Sequence, residues 1–80
     1  MARSAAYRKY QITINNPADN GFTHDIIKNI LSGMTGCLYW CMCDEIGHQG
    51  TPHTHLYVVF KNAVMFQTMQ QRFYGAHIED

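Results

Sequence analysis

Eighty residues hold one small domain, and a chain this short buries only about 60% of its unfolded surface, which leaves room for a modest core. An apolar share of 46% and an aromatic share of 12% exclude a disordered chain, and no apolar run approaches the roughly 20 residues of a membrane span, so a soluble, intracellular protein without a membrane partner is expected. Six basic residues balance six acidic ones, which counts against a binder working by bulk electrostatics, because phosphate neutralisation needs clustered Lys and Arg and only Arg3, Arg8 and Lys9 gather.

Residues 1–6 are expected to form a flexible lead to a domain over 7–80. In "YRKYQITIN", Tyr7 to Asn15, Ile12 and Ile14 alternate with Gln11, Thr13 and Asn15, the pattern of a half-buried strand. Asn16, Pro17, Asp19, Asn20 and Gly21 then mark a loop. "THDIIKNILSG" reads as a helix with Thr23 as N-cap, Asp25 in the first turn and Gly33 at the stop, its stripe made by Ile26, Ile27, Ile30 and Leu31. Cys37 to Glu45 suits a second strand, and its three cysteines (Cys37, Cys41 and Cys43) lack the spacing of a disulfide framework. A loop with Gly47 and Gly50 follows, then a third strand from Thr54 to Phe60, so the two strands form a hairpin. "NAVMFQTMQQRFY" reads as a second helix with Asn62 as cap and Val64, Met65, Met69 and Phe73 on one side, and "AHIE" as a last short strand.

This βαββαβ order predicts an α+β, ferredoxin-like domain: one antiparallel sheet with both helices on one face, the first strand beside the third and the third beside the second. Alternation places Ile12, Ile14, Leu38, Trp40, Met42, Leu56, Val58 and Phe60 under the helices. The opposite face then carries Gln11, Thr13, Asn15, Cys41, Cys43, Glu45, His53, His55 and Tyr57. His53 and His55 must share a face, the hairpin sets Glu45 beside them, and the end of the first strand brings Thr13 and Asn15 to the same corner. One carboxylate and two imidazoles with open positions suit a catalytic Mg²⁺, Mn²⁺ or Zn²⁺. On spacing alone, two solvent-facing histidines and a surface Glu fit as well. So does a closed zinc site that adds Cys43 to Glu45, His53 and His55, in a non-catalytic, zinc-stabilised nucleic-acid-binding module.

Several stretches together resemble a known family. "PHTHLYVVF" resembles the HUH motif of rolling-circle replication initiators, two histidines around one residue ahead of an apolar strand. "YQITINNP" is similar to the first motif of the Rep proteins of small circular single-stranded DNA viruses and related plasmids. "DEIGHQGTPHTH" matches their acidic residue, glycine loop and histidine pair, and "RFYGAHIE" the stretch after their second helix. The resemblance implies that Glu45, His53 and His55 bind a divalent metal, Mg²⁺ or Mn²⁺ with Zn²⁺ as a further option. It also implies a partner in single-stranded DNA or an origin hairpin, lying along Lys9, Gln11, Thr13, Asn15 and Asn16. The implied activity is nicking and rejoining of a single strand by an attacking tyrosine, in the host nucleus for a eukaryotic virus and in the cytoplasm for a bacterial or plasmid-borne protein. The family carries that tyrosine in a Tyr-x-x-Lys helix after the last strand, and no such motif stands before Asp80. The expectation is therefore a fragment with the metal corner and without the nucleophile.

Tyr57, and less so Tyr39, stand as substitute nucleophiles on the metal face, though both suit a floor for a packing helix better. That open floor predicts a homodimer through the sheet face. Asp44 alternates onto the helix-covered face and is set aside as a ligand. His24 and His48 are read as solvent-facing, Met65 and Met69 as core filler, and Trp40 as core; His77 has no assigned role.

Overall fold

The structure, a computed structural model, describes residues 5–80. In chain order these form β1 (Ala6–Asn15), α1 (His24–Ser32), β2 (Cys37–Ile46), β3 (Pro52–Met65), α2 (Phe66–Arg72) and β4 (His77–Glu79). The four strands make one antiparallel sheet in the order β2-β3-β1-β4, the ferredoxin-like arrangement expected. Of the six residues expected to be flexible, 1–4, with Arg3, lie outside the described ones. Ala6 already pairs with Met65, and the Ala5 carbonyl accepts the Phe66 N–H.

Local chemistry sets the first helix. Thr23 has an extended backbone, and its hydroxyl accepts the Ile26 N–H at 3.3 Å. Asp25 sits in the first turn, where the positive end of the helix dipole favours a carboxylate. Gly33 closes the helix with its N–H on the Asn29 and Ile30 carbonyls. Ile27 and Leu31 are buried and Ile30 half-buried, but Ile26 points outward, so the stripe is narrower than the sequence suggests.

Buried residues from both helices (Ile27, Leu31, Phe66, Met69) and Phe73 just after α2 join Tyr10, Ile12, Ile14, Leu56, Val58 and Phe60 of the sheet in one cluster. Both helices therefore cover the same face. Tyr10 packs edge-on against Phe60, and its hydroxyl donates to the Val64 carbonyl.

Two expectations need correction. Leu38, assigned to the core, is 65% exposed. Cys37 pairs with Phe60 while Tyr39 pairs with Val59, so Leu38 is one residue too many and drops out of the alternation. Cys37 takes the inward place, and burial pushes its thiol pKa up. The second helix, expected from Asn62, starts only at Phe66. Val64 and Met65 instead continue β3, because Tyr7 and Ala6 offer them strand partners beyond an irregularity opposite Arg8. Met65 is consequently half in solvent rather than core filler, and Phe66 replaces it on the buried side.

Candidate metal centre

The site is a product of the β2–β3 hairpin. Its turn is closed by the Gly47 N–H on the Thr51 carbonyl at 2.9 Å, with Gly50 at a φ of +79°, a left-handed conformation that glycine adopts without steric cost. That turn sets the register in which Glu45 faces His53 and Cys43 faces His55. β1 lies on the other side of β3, with Asn15 opposite His53 and Thr13 opposite His55. The sheet's uncovered face is thus ruled in rows: Glu45–His53–Asn15, then Cys43–His55–Thr13–His77, then Cys41–Tyr57–Gln11–Glu79.

At the corner, Glu45 Oε1 lies 3.3 Å from His53 Nε2 and 3.7 Å from His55 Nε2. One ligand atom from each of the three residues lies within 4.8 Å of the others, and they form the one group of three or more His, Cys, Asp or Glu found so arranged among the described residues. Donors each about 2.1 Å from a common ion stand roughly 3–4 Å apart, and the two spacings from Glu45 to the imidazoles fall in that range. The donor set, one carboxylate oxygen and two imidazole nitrogens, suits the same ions. Cys43 lies in the row of His55 yet falls outside the group, so a fourth, thiolate ligand is not gathered with the three.

The two imidazoles are held differently. His55 Nδ1 is 3.3 Å from Thr13 Oγ1. His53 Nδ1 is buried and meets no hydrogen-bonding partner, while a Cβ on Gly47 would come within 3.2 Å of His53 Cε1. The ring is thus held by Glu45 at Nε2 and by the close approach of the bare Gly47 backbone, with no partner on Nδ1.

Asp44 sits on the helix side, as alternation requires, and accepts from buried Thr54 at 2.7 Å. It also holds His24 Nε2 at 2.9 Å, so His24 is not merely solvent-facing. The His24 and Thr54 bonds keep the Asp44 carboxyl below the ordinary aspartate value. Nothing local in the sequence marks this pair, since α1 and β2 meet only through the fold. His48 is exposed in the hairpin turn, and His77 Nε2 meets Glu79 Oε1 at 2.9 Å.

Lys9, Gln11, Thr13 and Asn15 share the open face with the centre, whereas Asn16 leaves the sheet at φ +48° with its N–H on the Pro52 carbonyl. A trough of about 380 Å³ runs from His55 past Tyr57, walled by Gln11, Thr13, Cys41 and Cys43. Tyr57 stands one row beyond His55. Beside Tyr39, the Cys41 thiol holds the phenol pKa above its ordinary value, the wrong direction for a nucleophile that must shed its proton.

Against known proteins, the sequence model described as a putative viral replication protein matches residues 7–80. The chain is also similar to the replication-associated protein of pigeon circovirus, 31% identical over 78 residues, which is 96% of this chain and 23% of that relative. The chain therefore spans about a quarter of the length of the curated relative it matches.

Proposed function

The chain belongs to the viral replication protein family, and on that premise we propose that it is the metal- and DNA-holding part of an initiator that nicks and rejoins single-stranded DNA at a rolling-circle origin. The observation that carries the reading is the meeting of Glu45 with both histidine Nε2 atoms at one corner of an uncovered sheet. A divalent ion bound there, Mg²⁺ or Mn²⁺ before Zn²⁺, supplies Lewis-acid polarisation of a phosphodiester. Glu45, His53 and His55 hold and orient it. The neighbouring rows offer hydrogen-bonding side chains (Gln11, Thr13, Asn15) and one cation, Lys9, along which a single strand lies. In the reaction, a tyrosine oxygen bonds to phosphorus as the P–O3′ bond breaks, leaving a 5′-phosphotyrosine and a free 3′-hydroxyl. The link conserves the bond for rejoining. That tyrosine belongs to the Tyr-x-x-Lys helix the family places after β4. On this reading the protein works inside the infected cell.

The test is Mn²⁺ binding by titration calorimetry with thermal melting alongside. Wild-type chain should bind and melt higher with the ion, because a ligand of the folded state stabilises it. His53→Ala and His55→Ala should each lose both responses, and Cys43→Ser should keep them. Loss with Cys43→Ser would move the assignment to a structural zinc site, and no binding by the wild type would end it. Incubated with an origin oligonucleotide and Mn²⁺, these eighty residues should form no covalent adduct; an adduct mapping to Tyr57 would overturn the placement of the nucleophile.

A further inference from the structure

We propose that Gly47 is a positioning residue for His53: the turn holds a glycine there to leave room for the imidazole, and a side chain at 47 moves one of the three donors of the metal corner. The inference rests on the metal reading above and adds the device that places one of its ligands.

The two glycines of the β2–β3 turn are glycines for different reasons. Gly50 has a φ of +79°, and a Cβ built there meets nothing within 4 Å, so backbone conformation alone accounts for it. Gly47 is the reverse. It is not among the residues at positive φ, so its backbone makes no such demand. A Cβ there would stand 3.6 Å from the Thr51 carbonyl oxygen, an ordinary contact, but 3.2 Å from His53 Cε1, closer than side chains normally approach. The Gly47 N–H reaches the Thr51 carbonyl and its own carbonyl accepts the Gly50 N–H, both at 2.9 Å. Those are backbone atoms that an alanine would keep. Closing the hairpin therefore does not call for glycine at 47; the ring does.

The ring has little room to give way. Its side chain is 17% exposed, and Nδ1 is buried. Nε2 lies 3.3 Å from Glu45 Oε1, and the His55 ring stands edge-on with centroids 5.1 Å apart. A methyl at 47 must displace the ring by a few tenths of an ångström or tilt it. Either movement shifts Nε2 relative to Glu45 and His55, and a metal site has to be held to within about 0.5 Å of its working geometry.

Two substitutions in one turn separate space from conformation. Calorimetry on the full chain reports Mn²⁺ affinity, and thermal melting of the metal-free protein reports stability. Gly47→Ala should bind Mn²⁺ about 10–100-fold more weakly, the usual loss when the outer support of a ligating histidine is removed. Gly50→Ala, strained by its φ, should melt lower than wild type yet keep wild-type affinity. An unchanged affinity in Gly47→Ala overturns the proposal, and so does an equal loss in Gly50→Ala, which would trace the effect to the turn as a whole. A double-mutant cycle with His53→Ala needs no metal. Gly47→Ala should lower the melting temperature when the ring is present and not when it is absent; equal shifts in both backgrounds overturn the contact. The same cycle covers a Gly47→Ala chain too unstable to titrate, since removing the ring should restore it. A wild type that binds no Mn²⁺ would sink the metal reading, while the cycle still decides whether Gly47 places His53.

Discussion

Asp44 and Glu45 are consecutive carboxylates with opposite duties, because one residue along a strand is one face of a sheet. Glu45 turns to the imidazoles, while Asp44 turns to His24 and Thr54 and ties the start of α1 to the end of β2. Those bonds lower the Asp44 pKa below its unfolded value, so they stabilise the folded state above the unfolded aspartate pKa of about 3.9. The contribution fades as pH falls through the lowered folded value, where the unfolded chain already binds its proton. Asp44→Asn should therefore lower the urea midpoint at pH 7, and the gap to wild type should close on acidification below pH ~4. A gap that stayed constant down to the acid limb would show that charge at Asp44 plays no part. The tie also explains why Asp44, though next in sequence to the candidate ligand Glu45, is engaged on the other face of the sheet.

Elements differ in how much of their design is written locally. For α1 the cap, first-turn acid, stripe and stop all lie within eleven residues, from Thr23 to Gly33, and its bounds follow from them. Removing the cap with Thr23→Ala should cost about 1 kcal/mol in chemical denaturation, without change in the metal centre. The seven-residue α2 has no side-chain cap and is held by what it buries, Phe66, Met69 and the flanking Phe73. Phe73→Ala should accordingly cost far more, about 3–5 kcal/mol. The start of α2 was illegible in the sequence because Asn62 suits a cap and Met65 continues the four-residue apolar spacing of Met69 and Phe73. Strand partners at Ala6 and Tyr7, nearly sixty residues away, decide otherwise. Leu38 was illegible for a related reason, since alternation cannot announce its own interruption. The meeting of Glu45 with His53 and His55, by contrast, was legible, because a hairpin and a two-residue alternation are both local rules. The Thr13–His55 contact needed the β1–β3 register, which the fold class supplied only in outline.

At the scale of the whole molecule the protein is a slab, with extents of 36 × 29 × 18 Å. One sheet and one layer of helices fill the short dimension, which leaves the other side of the sheet bare. Besides the polar rows, that side carries Tyr39, Cys41, Tyr57 and Val59. Uncovered apolar surface of this kind favours self-association. We expect sedimentation velocity to show a dimer that grows with concentration and that Tyr39→Ser weakens; a monomer throughout would count against pairing across this side. Pairing along the sheet's margin is a different matter. β2 is an outermost strand of ten residues, long enough to recruit a neighbour by its unmet backbone groups. The supernumerary Leu38 breaks its straightness near one end, and Asp44 and Glu45 load the other with negative charge. A second molecule approaching that rim meets a bent and charged ribbon instead of a level template. Lateral accretion into fibres is discouraged at the same place where one surplus residue first looked like an error in the alternation.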